Sequence, residues 1–309
     1  MIYTVLMLLA ACAVLLLLFD RLLPLTAARL GFALERRRSG LRLRSADIPG
    51  FTLPYLEGGS GETLVLIHGF GGDKDNFTRM ARFLTPHYRV ICPDQPGFGD
   101  ATRDPLASYT IAEQVERMRE LFDRIAPGRI HLGGNSMGGF IAAQFAATYP
   151  ERVASLWLLD AAGTEASLQS DILQRYRDSG EMPLLLHKPQ DIHNLIATCT
   201  CSKPFLPSSV YVALGRRGAA DLALHTRIMV QLANATPLEH QYRDLATPTL
   251  IVWGQQDKIL HPDGAAALRT LFPRSQTVMM PRIGHLPMLE APRRSARDYL
   301  AFRRGSATG

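Results

Sequence analysis

The chain has 309 residues, of which 47% are hydrophobic and 20% are charged. This length and apolar content suffice for the core of one large α/β domain with an insertion, and the sequence contains no internal repeat or low-complexity tract. The net charge of +6 arises mostly from arginines between residues 21 and 44, which points to an anionic membrane surface as the partner and not to nucleic acid.

The first nineteen residues, Met1 to Phe19, contain no charged side chain. At the rise of an α-helix they span about 28 Å, which is close to the thickness of a bilayer core. A signal peptide would have a basic start and a shorter apolar stretch, and no Lys or Arg precedes this one. The sequence therefore predicts an uncleaved, single-pass membrane anchor over residues 1–19. Lipoprotein processing at Cys12 and cleavage near Ala28 remain alternatives.

Residues 20–40 are interpreted as a basic juxtamembrane linker. Between residues 20 and 44 the acidic residues are Asp20 and Glu35, against seven arginines: Arg21, Arg29, Arg36, Arg37, Arg38, Arg42 and Arg44. Because positive charge beside a span stays on the cytoplasmic side, the rest of the chain is predicted to face the cytoplasm, from the inner membrane if the source is bacterial. The simpler alternative is that these arginines are only solvated by water and do not bind anionic lipids.

From residue 41 onward, strand-like apolar runs alternate with helical patterns. Two runs, Leu41–Asp47 and Phe51–Glu57, are typical of a leading antiparallel pair. The later runs are expected to form parallel strands: Thr63–His68, Tyr88–Cys92, Arg129–Gly133, Val153–Asp160, Pro248–Trp253 and Ser275–Met280. The alternation predicts an α/β fold with a mostly parallel, doubly wound sheet, built from residues 41–160 and 243–309.

A glycine-rich segment, His68-Gly69-Phe70-Gly71-Gly72, follows the first of these parallel runs. Gly69 lets the backbone turn, so the Phe70 amide is predicted to face a reacting oxygen at the carboxyl end of the sheet. His68 is expected to be a hydrogen-bonded organiser of this loop and not a base. A phosphate loop is rejected, because no Lys-Ser or Lys-Thr follows the glycines at Walker spacing.

The segment Gly134-Asn135-Ser136-Met137-Gly138 lies between an apolar strand-like run and a helical pattern of small residues. A G-x-S-x-G sequence in this strand–turn–helix setting forms the sharp turn that presents a serine nucleophile above a sheet. A Cβ at either glycine would collide with neighbouring backbone. The sequence predicts Ser136 as the nucleophile and the backbone amides of Phe70 and Met137 as the donors of an oxyanion hole.

The alternation of strands and helices fails between residues 161 and 242, where prolines and amphipathic patterns such as Ile172–Arg177 and Leu222–Ala233 occur. This stretch is inserted between two of the expected parallel strands, Val153–Asp160 and Pro248–Trp253. It is predicted to be a helical lid that shields the chemistry from water and supplies an apolar pocket. A packing domain without such a role is the alternative.

A serine nucleophile needs a base, and the base needs a carboxylate to orient it. His285 follows the last expected strand and precedes a helix expected at Pro292–Phe302, so it is the predicted base. Asp257 follows the fifth expected parallel strand, at the edge where α/β sheets place their sites, and is the predicted acid. Asp160 also ends a strand and is the rival acid; otherwise it would cap the segment that follows it.

The four cysteines are Cys12, Cys92, Cys199 and Cys201. The last two lie too close in sequence for easy disulfide geometry, and reduced thiols fit a domain that faces the cytoplasm. The Cys and His residues do not show the spacing of a zinc site, so no metal is predicted, and no cofactor. The oligomeric state is not set by any of these features.

Together these segments resemble the membrane-anchored monoacylglycerol lipases of the α/β-hydrolase family. The resemblance covers most of the chain, including the anchor, and the similar segments are His68–Phe77, Asn135–Gly139, Met182–Cys199, Trp253–Asp257 and Gly284–Arg293. It implies the α/β-hydrolase fold, a serine hydrolase that uses Ser136, His285 and Asp257, and a monoacylglycerol or similar single-chain lipid ester as substrate. Asn135 stands where a threonine is more usual.

Three other functions remain open. A carbon–carbon bond hydrolase uses the same triad on charged dienoates, and arginines of the inserted region would favour it: Arg175, Arg177, Arg216 and Arg217. An acyltransferase would share every residue of the proposal, and a non-catalytic membrane scaffold would need none of them. Epoxide hydrolases and dehalogenases need an aspartate nucleophile, so Ser136 argues against both.

Overall fold

A computed structural model describes residues 1–306 of the chain. Its centre is an eight-stranded sheet in the order β1-β2-β4-β3-β5-β6-β7-β8. The strands are β1 Leu41–Ile48, β2 Phe51–Gly58, β3 Thr63–Ile67, β4 Arg89–Pro93, β5 Ile130–Ser136, β6 Val153–Ala161, β7 Thr249–Gly254 and β8 Ser275–Met280. β1 and β2 pair antiparallel, β2 joins β4 antiparallel, and the remaining neighbours are parallel. The predicted mostly parallel sheet with its leading antiparallel pair is confirmed.

Helices cover both faces of this sheet. The helices are α1 Ile2–Leu22, α2 Pro24–Arg38, α3 Thr78–Ala81, α4 Ile111–Ile125, α5 Met137–Thr148, α6 Asp171–Ser179, α7 Ile192–Cys199, α8 Ser208–Ala220, α9 Leu222–Ala233, α10 Gly264–Leu271, α11 Pro287–Glu290 and α12 Pro292–Ser306. The last helix begins where the sequence predicts it and ends later than the predicted Phe302.

The two faces carry separate cores. One core contains side chains of α4, α5 and α10, among them Phe122 and Phe145. The other contains side chains of α3 and α12, and there Tyr299 stacks on Trp157 of β6 with ring centroids 4.4 Å apart. Strand β5 is buried along its whole length because helices lie on both of its faces. This sandwich of a sheet between helix layers fixes the carboxyl ends of β5, β6 and β7 relative to one another.

Helices α6 to α9 are inserted between β6 and β7, where the sequence predicts the lid. α6 begins at a Ser170 cap, whose hydroxyl accepts a hydrogen bond from the Leu173 amide, and ends at Gly180 with a φ of 75°. These are ordinary start and stop signals of a helix. The insertion therefore forms a helical layer above the carboxyl edge of the sheet.

The N-terminal segment is helical for longer than the sequence analysis expects. α1 is long and apolar enough to cross a membrane, and no residue of this fully described helix is buried. Residues 20–40, interpreted from the sequence as a linker, mostly form α2, which begins at Pro24 and packs against α8. Arg36 holds Asp75 through two hydrogen bonds, one of them 2.6 Å long from Nε. Proline suits the first position of a helix, and the buried Ala28 permits close packing.

Candidate active site

Ser136 lies at the junction of β5 and α5 with φ 56° and ψ −122°, a backbone conformation that is strained for a residue with a Cβ. Its two flanking glycines are needed because the chain passes so close to itself. A Cβ at Gly134 would lie 2.1 Å from the Gly138 carbonyl oxygen, and a Cβ at Gly138 would lie 2.2 Å from the His68 carbonyl oxygen. The serine is 8% exposed and lines the two cavities described below.

The loop after β3 approaches this serine closely. A Cβ at Gly69 would lie 3.0 Å from the Ser136 Cβ, which is tighter than most real Cβ contacts, so glycine suits this approach. The N–H groups of Phe70 and Met137, predicted as oxyanion donors, have no acceptor among the described residues. Both sit beside Ser136, one on the adjacent loop and one at the first position of α5. Two free N–H groups, one of them at a helix start, are suited to hold a negative oxygen.

His68 organises this loop, as the sequence predicts. It is fully buried, its Nδ1 lies 2.7 Å from the Gly69 carbonyl oxygen, and its Nε2 accepts a hydrogen bond of 3.1 Å from the Gln95 amide. Burial lowers the pKa of His68 to about 4, so the ring is neutral. A neutral ring with both nitrogens engaged in backbone contacts supports the loop and does not serve as a base.

Buried charges fasten the same loop to its surroundings. The Lys74 ammonium group is buried and lies 2.8 Å from Asp94 Oδ2. Arg217 of α8 pairs with Asp73, so the inserted region is tied directly to the loop. Burial would raise the pKa of Asp73, but the charges of Arg217 and Lys74 lower it to about 2. The loop that carries the Phe70 amide is thereby held by ion pairs on two sides.

His285 and Asp257 form the hydrogen-bonded pair that their positions in the sequence suggest. His285 Nδ1 donates to Asp257 Oδ2 over 2.8 Å, and both side chains are buried. The other carboxylate oxygen of Asp257 accepts from the amides of Ile259 at 2.8 Å and Leu260 at 3.1 Å. The bond at Nδ1 leaves His285 Nε2 as the nitrogen available to another group.

Ser136 and His285 line one cavity. Among the described residues no hydrogen bond joins the serine hydroxyl to the imidazole. Contacts between a nucleophile and its base are often long in a free enzyme and shorten when substrate binds.

Asp160, the rival acid, does not contact His285 through a hydrogen bond. It ends β6 with a φ of 44°, is fully buried, and accepts a hydrogen bond of 2.8 Å from the Gly254 amide of β7. The expectation that it caps the segment after β6 is wrong, because its carboxyl points across the sheet to the neighbouring strand.

Two side chains that the sequence analysis did not assign hold the His285 loop. Asn135 Nδ2 donates to the carbonyl oxygens of His285 and Leu159, each at 3.0 Å. Glu290 accepts from the Gly284 amide at 2.9 Å and from two amides of the inserted region, those of residues 201 and 202. The sequence signals that point to these two residues are an amide side chain directly before Ser136 and an acid five residues after His285.

Two cavities meet at Ser136 and Phe70. The first opens between α2, α7 and α8 and is apolar with a polar margin; its lining includes Phe32, Glu35, Arg79, Ile196, Leu206 and Leu214. The second lies under α6 and α9 and is almost entirely apolar; its lining includes Phe140, Leu173, Tyr176, Met182, Met229 and Leu260. The serine therefore stands where two branches join, and α2 contributes to the wall of one of them.

The arginines of the inserted region are not gathered at the serine. Arg217 lines the first branch but is neutralised by Asp73. Arg177 lines the second branch and donates to the Leu168 carbonyl oxygen at 3.0 Å, whereas Arg216 is exposed. This arrangement offers no cluster of free positive charge for a dienoate carboxylate in the described part of the chain.

All four cysteines are free thiols, as the sequence analysis expects. Cys92 and Cys199 are buried, and burial raises the pKa of both thiols. They are therefore protonated, and the Cys199 carbonyl oxygen has a separate role, because it accepts a hydrogen bond of 2.7 Å from the His285 amide.

Residues 62–292 match the family described as the alpha/beta hydrolase fold. The chain therefore belongs to the α/β-hydrolase family. It is 36% identical over 283 residues to Lipase 3 of Moraxella sp. (strain TA144), and the match covers 88% of this chain and 87% of that protein. It is 27% identical over 295 residues to monoacylglycerol lipase ABHD6 of Mus musculus, with coverage of 90% and 88%.

A solved structure is similar over the whole chain. The crystal structure of a membrane phospholipase A, described as a bacterial virulence factor, has a TM-score of 0.89 and 38% sequence identity, and the match covers 100% of this chain and 99% of that one. Together with the lipase relatives, this similarity confirms a carboxylic-ester hydrolase of the lipase type that acts on lipid esters.

Proposed function

We propose that this protein is a membrane-anchored serine hydrolase that cleaves esters of single-chain lipids, with monoacylglycerols as its main substrates, to glycerol and free fatty acid. The observation that carries the proposal is the position of Ser136. The serine has a strained backbone, lies beside two free N–H groups, and shares a cavity with His285, whose other ring nitrogen is hydrogen-bonded to Asp257.

In this proposal His285 Nε2 takes the proton of the Ser136 hydroxyl as its oxygen attacks the ester carbonyl carbon. The N–H groups of Phe70 and Met137 hold the oxyanion of the tetrahedral intermediate, and Asp257 stabilises the imidazolium. The intermediate collapses, His285 gives its proton to the departing glycerol oxygen, and the acyl group stays on Ser136. Water then attacks the acyl-enzyme with His285 as base, and the fatty acid leaves.

The two branches suggest where each part of the substrate lies. The branch under α6 and α9 is lined by Leu173, Met182 and Met229 and is suited to an acyl chain. The branch beside α2 has polar groups at its margin, among them Glu35 and Arg79, and is suited to the alcohol. An acyltransferase would use the same arrangement, with a second alcohol in place of water.

A membrane location follows from the same proposal. α1 serves as a single-pass anchor, and the exposed arginines of α2, Arg29, Arg37 and Arg38, lie against the anionic cytoplasmic surface of the membrane. The first branch would then open beside the membrane, because α2 forms part of its wall. Phospholipids are a second candidate substrate class, favoured by the similarity to the membrane phospholipase A over the whole chain including both N-terminal helices.

The test uses the full chain in detergent micelles with monooleoylglycerol, lysophosphatidylcholine and dioleoylphosphatidylcholine, and follows release of oleic acid. Ser136→Ala should lower the rate on the preferred ester by about 10⁶-fold. Undiminished release by this variant would refute the proposal. Preferred cleavage of the phospholipid would replace monoacylglycerol by phospholipid as the substrate, and glycerol or ethanol added as competing acceptor separates hydrolysis from acyl transfer.

A further inference from the structure

Asp160 has no role in the proposed mechanism, yet it is a fully buried carboxyl at the centre of the site. Its φ of 44° lies in the left-handed region, which is uncommon for a residue other than glycine. Oδ1 accepts the Gly254 amide at 2.8 Å, whereas the buried Oδ2 meets no donor among the described residues. A buried carboxylate oxygen without a donor is costly, and this one requires an explanation.

The neighbour of this carboxyl is the acid of the predicted triad. A carboxylate oxygen of Asp160, a carboxylate oxygen of Asp257 and a ring nitrogen of His285 all lie within 4.8 Å of one another. Two carboxyl groups that are buried this close together do not both ionise, and the pair holds one proton between them. The question is which of the two carries it.

The hydrogen bonds decide the place of the proton. Asp257 accepts three: from His285 Nδ1, from the Ile259 amide and from the Leu260 amide. Each of these donors stabilises a negative charge on Asp257. Asp160 accepts only one, from the Gly254 amide. The negative charge therefore belongs on Asp257 and the proton on Asp160.

We propose that Asp160 is a second acid of the catalytic relay: it is held protonated, and its Oδ2–H donates a hydrogen bond to the Asp257 carboxylate. The proton on Oδ2 explains why this oxygen has no donor, since it is itself the donor. Asp160 is a positioning residue, because it acts on His285 through Asp257 and touches no reacting atom. The inference deepens the proposed function, on which its kinetic consequences rest.

The surroundings of Asp160 agree with a neutral carboxyl. Burial raises its pKa well above the usual range, the charge of Asp257 and a hydrogen bond with its carboxyl raise it further, and the Gly254 amide acts in the opposite sense. Glu290 also faces it and raises its pKa. The Cys199 thiol, which is close enough to Asp257 and Glu290 to feel their charges, is itself buried and protonated. A protonated aspartic acid in an apolar site is a known form of neutral hydrogen-bond donor in enzymes.

The donated bond has two effects on the relay. It helps to fix the Asp257 carboxylate, so that Oδ2 stays aligned with His285. It also withdraws negative charge from Asp257, which makes the imidazolium of His285 less stable and keeps the base neutral to lower pH. Loss of the donor should therefore move the acid limb of the pH profile of kcat/KM to higher pH.

Two variants test this. Asp160→Asn keeps an oxygen for the Gly254 amide and offers an N–H to Asp257. The acid limb of its kcat/KM profile should therefore lie at the same pH as in the wild type. Asp160→Ala removes the donor and should lower kcat by about tenfold or more, with the acid limb shifted upward. Asp257→Asn is the comparison, because loss of the acid itself should lower kcat by about 10⁴-fold. If Asp160→Asn is as damaging as Asp257→Asn, or shifts the acid limb downward, Asp160 is charged and the inference is wrong.

Measurements of stability and of the infrared spectrum do not depend on catalysis, so they test this inference separately from the proposed function. A carboxyl whose folded pKa is raised binds a proton that the unfolded chain has lost, so the wild type loses stability as pH rises above about 4. Asn does not titrate. The difference in Tm between Asp160→Asn and wild type should therefore grow between pH 5 and 8, and the wild type alone should show the infrared carbonyl band of a buried carboxylic acid at pH 7. A constant Tm difference and the absence of that band would overturn the inference, whether or not Ser136 proves to be the nucleophile.

Discussion

The side-chain amide of Asn135 donates a hydrogen bond of 3.0 Å to the main-chain carbonyl of His285, 150 residues further along the chain. The residue directly before the candidate nucleophile thus holds the loop of the candidate base. The same amide nitrogen also donates to Leu159 at the end of β6. One buried side chain therefore fixes the distance between the ends of β5 and β6 and the loop that carries the imidazole.

Replacing Asn135 by alanine should remove this link. Two buried carbonyl groups would lose their donor, and an unsatisfied buried group costs about 1–3 kcal/mol. We expect a lower free energy of unfolding and a kcat reduced by about tenfold, measured by urea unfolding and by ester hydrolysis. Asn135→Thr, which restores one donor, should recover part of both. A variant with reduced stability but unchanged kcat would show that the link supports the fold and not the base.

Glu290 links the inserted region to the same loop. Its carboxylate accepts from the Gly284 amide on one oxygen and from the amides of Cys201 and Ser202 on the other. Glu290→Gln would place an NH₂ group against N–H donors, so these contacts should break. We expect a fall in kcat and a loss of about 1–3 kcal/mol in stability. The control Glu181→Gln changes an exposed acid of the inserted region and should alter neither.

The sequence predicted those parts of the site that depend on local pattern. Ser136 follows from glycines that the turn itself requires, and Asp257 and His285 follow from their positions after apolar strands. Their contact at Nδ1 agrees with that prediction, and their catalytic roles stay predictions. The contributions of Asn135, Glu290 and Asp160 could not be predicted in this way, because each depends on partners from distant segments that only the folded sheet brings together.

The contacts of the N-terminal segment likewise could not be predicted from the sequence. Its hydropathy predicts a span, and the arginines suggest a solvated linker, but nothing local indicates that α2 packs on α8. The contact is specific: Asp20 accepts hydrogen bonds from the Ser208 hydroxyl and from the Ser209 amide at the start of α8. A carboxylate at a helix start satisfies free amides and interacts favourably with the helix dipole.

Asp20→Ala should therefore loosen the inserted region and not only the anchor. Loss of a helix cap costs about 1 kcal/mol, and α8 lines the first branch of the cavity. We expect a lower Tm of the detergent-solubilised protein and a raised KM for long-chain esters, with a smaller change in kcat. The matched control is Arg21→Ala, an exposed neighbour in the same helix. Equal Tm values for the two variants would show that the contact does not stabilise α8.

Stability should depend on pH through His68. Burial lowers its pKa to about 4, whereas an unfolded histidine titrates near 6.5. Between these values the unfolded chain binds more protons than the folded one, so stability from this residue is complete above pH 6.5 and is lost as pH falls toward 4. The loss should reach about 3 kcal/mol.

The measurement for His68 is the free energy of unfolding by urea at several pH values from 4 to 7. Wild type and His68→Gln share all other titrating groups, so the difference between them isolates this histidine. The slope with pH should be smaller for the glutamine variant. Parallel curves would mean that His68 binds protons equally in the folded and the unfolded chain, so burial would not keep its ring neutral below pH 6.5.

The close approach at the nucleophile turn predicts opposite results for two glycine substitutions. Gly138→Ala would place a Cβ 2.2 Å from the His68 carbonyl oxygen and 2.3 Å from that of Ile67, and neither backbone atom is free to move. Gly31 in α2 has no heavy atom within 4 Å of the corresponding Cβ position. There the methyl group meets open space, and alanine favours a helix over glycine by about 1 kcal/mol.

We therefore expect Gly138→Ala to be strongly destabilised and unreactive toward a fluorophosphonate probe at Ser136, because the turn can form only by moving the loop that carries the Phe70 amide. Gly31→Ala should have a Tm equal to or above that of wild type and full probe labelling. If Gly138→Ala folds and is labelled normally, the loop that carries the Phe70 amide must lie further from α5 than these distances imply, and the Phe70 amide would then not lie beside Ser136.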